Sequence, residues 1–112
     1  MTRVRLPDRR AAETVELEHG GQRFTVTIGF YPDGRPGEVF THGLRTGSNL
    51  DALLADAFVV VSRLMQHGVE ARDLAASMGR LGNAEPASVI GTVLDLVAAS
   101  TAAQKSVAET RA

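Results

Sequence analysis

The chain reads as an α+β domain: a three-stranded antiparallel β-meander covered by one long helix and followed by two shorter helices. A change of hydrophobic period points to this class. Phe24, Val26, Ile28 and Phe30 alternate with Thr25 and Thr27, the two-residue period of a half-buried strand. Leu50, Leu54, Ala57, Phe58, Val61, Leu64 and Met65 instead recur at helical spacing. Between the two patterns, Pro32, Asp33 and Gly34 reverse the chain, Pro by presetting φ and Gly by accepting the left-handed region.

The first strand spans Glu13 to Glu18, with Val15 and Leu17 on one face and Glu16 and Glu18 on the other. Gly20 and Gly21 then supply the positive φ angles of a hairpin turn. The second strand runs from Arg23 to Tyr31. Pro36 cannot donate to a ladder, so the third strand is expected from Glu38 to about His42. Ser48 offers an N-cap to the long helix, Asp51 favours the positive end of its dipole, and Gly68 stops it. Val59 and Val60 widen its apolar surface beyond one stripe. A helix buried on two sides follows, against the sheet and against either the last helix or another subunit. A short helix from Glu70 to Met78 faces inward through Leu74 and Met78. Pro86 suits the first turn of a final helix that places Val89, Ile90, Val93, Leu94 and Val97 on one face. The organisation expected is a basic arm over 1–12, one domain over 13–100 and a frayed tail over 101–112.

A chain of 112 residues fits one domain with a modest core. Cysteine is absent, which excludes a disulfide framework, a thiolate metal site and a redox pair. The formal net charge of −1 argues against a broad footprint for nucleic acid or anionic membrane. The N-terminus has no signal-like apolar run, and the longest apolar stretch, Ala57 to Val61, is far too short to span a bilayer. A soluble cytoplasmic protein is the expectation.

The run Thr27-Ile28-Gly29-Phe30-Tyr31-Pro32-Asp33-Gly34-Arg35-Pro36-Gly37-Glu38-Val39-Phe40 carries a family resemblance. So do the serine-led helix at Ser48, its end at Met65-Gln66-His67-Gly68-Val69, and Asp73-Leu74. Together, across residues 13–97, they resemble the TSCPD domain, named for a Thr-Ser-Cys-Pro-Asp motif. That domain also occurs near the C-terminus of adenosylcobalamin-dependent (class II) ribonucleotide reductases. The chain is similar, too, to short stand-alone bacterial proteins with an arginine-rich opening, here Arg5 to Arg10. Where the naming motif falls, this chain reads Glu85-Pro86-Ala87-Ser88-Val89-Ile90, without cysteine. Ribonucleotide reduction needs a thiyl radical and a thiol pair, so this chain alone cannot perform it.

No catalytic, metal or cofactor constellation stands out. His19, His42 and His67 lack a His or acidic partner at helical spacing, and are read as structural. Asp51 and Asp56, five apart, fall on different faces of the helix, which separates them for acid–base work. Asp56 is read as solvated, or else paired with Arg35 or Arg63. The glycines follow no phosphate-cradle spacing, and Ser48 and Ser62 lack a nucleophile's elbow and a base. What remains is a set of contact residues: Arg3, Arg5, Arg9 and Arg10 in the arm, Arg35 at the hairpin tip, and Val59 and Val60 on the helix. The arm is either a solvated segment or a reader of phosphates and acidic partners. A non-enzymatic binding or accessory module is therefore expected, acting on a protein partner or on itself as a homo-oligomer. The alternative is a nucleotide- or nucleic-acid-binding domain built on the arginines. The charge balance disfavours nucleic acid, and no membrane contact is expected.

Overall fold

The computed structural model describes residues 2–44 and 49–111, with side chains through Ser100. Strands β1 (Ala12–His19), β2 (Gln22–Phe30) and β3 (Pro36–His42) form one antiparallel sheet in the order β1-β2-β3. Helices α1 (Leu50–Gln66), α2 (Ala71–Ser77) and α3 (Val89–Arg111) follow. The α+β meander with three helices is the architecture expected from the hydrophobic periods.

Gly20 and Gly21 have φ of 60° and 82°, which sets Val15 opposite Val26 and Leu17 opposite Phe24. β3 begins at Pro36, earlier than its chemistry suggests. Pro36 pairs with Phe30 beyond a register irregularity at Gly29 and Phe30, where the regular ladder has already lapsed. The sheet buries Phe24, Val26, Ile28, Phe30 and Val39 against Leu54, Phe58, Val61 and Met65 of α1 and Val93, Leu94 and Val97 of α3. Each such side chain contributes roughly 1.5–3 kcal/mol of hydrophobic stabilisation.

Helix α1 lies alongside the outer edge of β3. The Ser62 hydroxyl accepts the Val39 amide proton at 3.0 Å, and the Gln66 amide group donates to the Gly37 carbonyl at 2.9 Å. Two helix side chains thus stand where the backbone of a fourth strand would be. The expected N-cap, Ser48, lies outside the described residues. Asn49 occupies the N-cap position without a side-chain cap bond.

The final helix starts later than the sequence suggests. Pro86 is outside it, in a bridge with Arg80, and Ser88 caps the helix by accepting the Gly91 amide proton at 3.1 Å. A cap needs an oxygen on the residue just before the first turn, which Ser88 supplies. With 23 residues α3 also outruns α1, which has 17. Its helical backbone continues past Ser100 through a stretch rich in Ala, Gln, Lys and Glu, residues of high helix propensity.

The basic N-terminal segment is anchored rather than free in solvent. The Val4 amide donates to the Gln66 carbonyl at 2.9 Å, and the buried Tyr31 hydroxyl donates to the Val4 carbonyl. Leu6 packs over Gly37, where an added Cβ would come within 2.9 Å of Leu6 and 2.5 Å of the Tyr31 ring. The end of α1 leaves carbonyls to satisfy and Tyr31 needs an acceptor, so the segment has somewhere to bind. No described helix is long and apolar enough to cross a membrane.

Candidate functional site

The apolar residues of α1 divide between two faces. Leu54, Phe58, Val61 and Met65 are in the core, while Leu53, Val60 and Leu64 remain 63%, 58% and 37% exposed. Leu50 and Leu64, which helical spacing assigns to the core stripe, are therefore at or outside its border. Val60 joins Leu53, Ala57 and Leu64 in one outer stripe at spacings of four, three and four residues. Val59 is equally exposed but points elsewhere, since successive helical residues are about 100° apart. It lines a shallow groove with Phe40, Ala55 and Ser62 beside β3. α3 leaves both valines uncovered, so the sequence's two-sided helix has one side open. The spacing of Leu53 and Leu64 to Ala57 and Val60 is legible in the sequence, but a broad apolar surface does not reveal where the core ends.

The arginines are brought into different surroundings. Arg3 donates to the Gln66 side chain; burial, then the nearby Arg63 and Arg5 charges, lower its pKa. Arg10 pairs with Glu38 at 2.7 Å and also donates to the Pro7 carbonyl. Arg5 and Arg9 are exposed. Arg35 is tied to Asp33 at 2.9 Å and lies 4.7 Å over the Tyr31 ring, so it is not a free reader at the hairpin tip. Burial alone would raise the Asp33 carboxyl, but hydrogen bonds from the Arg35 amide and guanidinium hold it below the ordinary range. Burial raises the Tyr31 hydroxyl, against the pull of Arg35 and Arg3.

A cleft of about 400 Å³ opens between the β2–β3 turn and the α1–α2 connection, walled by Pro36, Met65, Val69 and Ala71. Its arginines, Arg35 and Arg72, are each matched by a carboxylate, Asp33 and Glu70, the latter at 2.7 Å. The cleft thus offers an anion no net charge. His19 hydrogen-bonds Thr92 of α3 at 2.8 Å, and His42 stacks edge-on against Phe40 at 5.3 Å. These are packing roles. Asp56 is exposed, the solvated alternative of the two expected for it. No group of three or more metal-ligating side chains occurs among the described residues. The feature that stands out among the described residues is the exposed outer stripe of α1, Leu53, Val60 and Leu64.

Comparison with known proteins places the chain. A vitamin B12-dependent ribonucleotide reductase of Rhodopirellula baltica is 37% identical over 67 residues, which make up 60% of this chain and 6% of that protein. A vitamin B12-dependent ribonucleotide reductase of Bradyrhizobium diazoefficiens is 34% identical over 67 residues, 60% of this chain and 5% of that protein. The chain is thus similar to one small part of much longer proteins. No solved structure matches it. The family model for the TSCPD domain matches residues 2–104, from the anchored arm through the sheet into α3, and the chain belongs to that family.

Proposed function

We propose that this chain is a non-enzymatic accessory module of the cytoplasm that works through protein contacts, self-association among them. One observation carries this reading: the outer stripe of α1, where Leu53, Val60 and Leu64 stay exposed beside a complete core. Small domains seldom leave contiguous apolar surface wet without a partner for it. The 67 matching residues make up about 6% of a reductase, and the chain holds no cysteine, so the thiol chemistry of reduction is closed to it.

Sedimentation velocity over a range of concentrations tests the reading. The native chain is expected to shift from monomer to a larger species. Val60→Glu should hold it as a monomer, and Val59→Glu, on a different face, should matter less. A native chain that stays monomeric at high concentration removes self-association.

A further inference from the structure

The outer stripe of α1 and the charges beside it complement a second copy of the same helix. Leu53, Ala57, Val60 and Leu64 repeat the spacing of an a/d seam, in which side chains of one helix insert between those of another. On one side the seam is bounded by Leu54 and Val61, which belong to the core. On the other side are Asp56 and Arg63, seven residues apart and both exposed. Neither takes part in an ion pair among the described residues. Arg63 is instead close enough to Arg3 for the two positive charges to repel.

Two identical seams can meet in parallel or antiparallel. A parallel pair sets each residue against itself and turns the Asp56 side of one helix toward Leu54 and Val61 of the other, which leaves both charges unmatched. An antiparallel pair sets Leu53 against Leu64 and Ala57 against Val60, each contact made twice. It also brings like flanks together, so Asp56 of each copy meets Arg63 of the other. The antiparallel arrangement matches both apolar layers and both charges.

We infer that two copies of this chain pair through α1 about a two-fold axis, antiparallel, with Leu53 on Leu64 and Asp56 on Arg63 of the second copy. The inference rests on the self-association proposed above and names its partner and register. The seam covers few turns, so the pair falls at the small end of protein interfaces and has roughly micromolar affinity.

Because the chain has no cysteine, introduced thiols report contacts without background. Leu53→Cys and Leu64→Cys chains are oxidised with glutathione disulfide, separately and mixed. The linked dimer is expected in the mixture and not from either chain alone. Linkage within each separate chain means a parallel pair and overturns the register. Charge exchange gives a second readout that leaves the leucines in place. Asp56→Arg and Arg63→Asp should each weaken dimerisation about tenfold, and the double variant should recover it, because the ion pairs are remade with reversed sign. Weakening without recovery overturns the Asp56–Arg63 contact while the chain still dimerises. A native chain that never dimerises overturns self-association itself, so the two failures are distinct.

Discussion

The Ser62 hydroxyl of α1 accepts the Val39 amide proton of β3 at 3.0 Å and lies 2.7 Å from the Phe58 carbonyl of its own helix. One side chain therefore closes an edge position of the sheet while bonded to the turn below it. With Gln66 on Gly37, this makes α1 a cover for the β3 edge as well as a wall of the core.

Ser62→Ala should leave the Val39 amide without its partner in a half-buried setting. A loss of about 1–2 kcal/mol in urea unfolding is expected, in line with the cost of stranding one backbone donor. The uncovered edge should also raise the tendency to aggregate, seen by light scattering. An unchanged midpoint means water replaces the hydroxyl freely and the edge is not sealed there.

The β2–β3 turn makes a separate demand. Gly34 has φ of 89°, and its amide donates to the Tyr31 carbonyl at 2.9 Å. A β-branched residue resists that conformation, so Gly34→Val should lower stability by about 1–2 kcal/mol. A midpoint in urea equal to that of the native chain removes the turn assignment.

These two sites show what could be read in advance. Gly34 was legible because Pro32-Asp33-Gly34 is a local signal, and the strands and α1 were legible because their periods are local too. The role of Ser62 is not legible, because its partner is 23 positions away and the residues around it in sequence give no hint of an edge contact. The arm is legible only in part for the same reason. Arg3 and Arg10 look solvated until Gln66 and Glu38, each far along the chain, are brought beside them, and Tyr31 holds the segment through the Val4 carbonyl. The open stripe was half visible: Val59 and Val60 signalled surplus apolar area, but the division between core and surface depends on where α3 lies.

Another long-range contact predicts pH dependence. Arg80 grips Asp95 of α3 through two bonds of 2.7 and 2.8 Å, and also donates to the Ala75 and Ala84 carbonyls. The Arg80 hydrogen bonds hold the Asp95 carboxyl below the ordinary carboxylate range, with burial acting against them and the Arg80 charge adding to the lowering. A depressed folded-state pKa adds stability above the unfolded value, near 3.9, and loses it as pH falls through the folded value. The urea midpoint should therefore drop from about pH 4 downward. Asp95→Asn should lower the midpoint at neutral pH and make that acid drop shallower. Parallel curves for the two chains mean the pair is too solvated to couple to folding.

The arm decides between protein and polyanion as partner. Arg3 is bound to Gln66 and Arg10 to Glu38, so two of its four guanidinium groups would have to leave existing contacts to reach a phosphate. Residues 11–112 carry 8 basic and 12 acidic side chains, so the body of the domain repels a polyanion unless its charges segregate by face. At ~150 mM salt, where exposed charges are screened beyond about 8 Å, the remaining pair Arg5 and Arg9 offers little attraction. No measurable affinity for labelled single-stranded or duplex DNA is expected at that salt. Any binding seen at low salt should disappear when Arg3, Arg5, Arg9 and Arg10 are all replaced by Ala, with a flatter dependence on salt. A tight, salt-sensitive complex at physiological ionic strength, lost in the four-arginine variant, would make the arm the functional surface and displace α1 from that role.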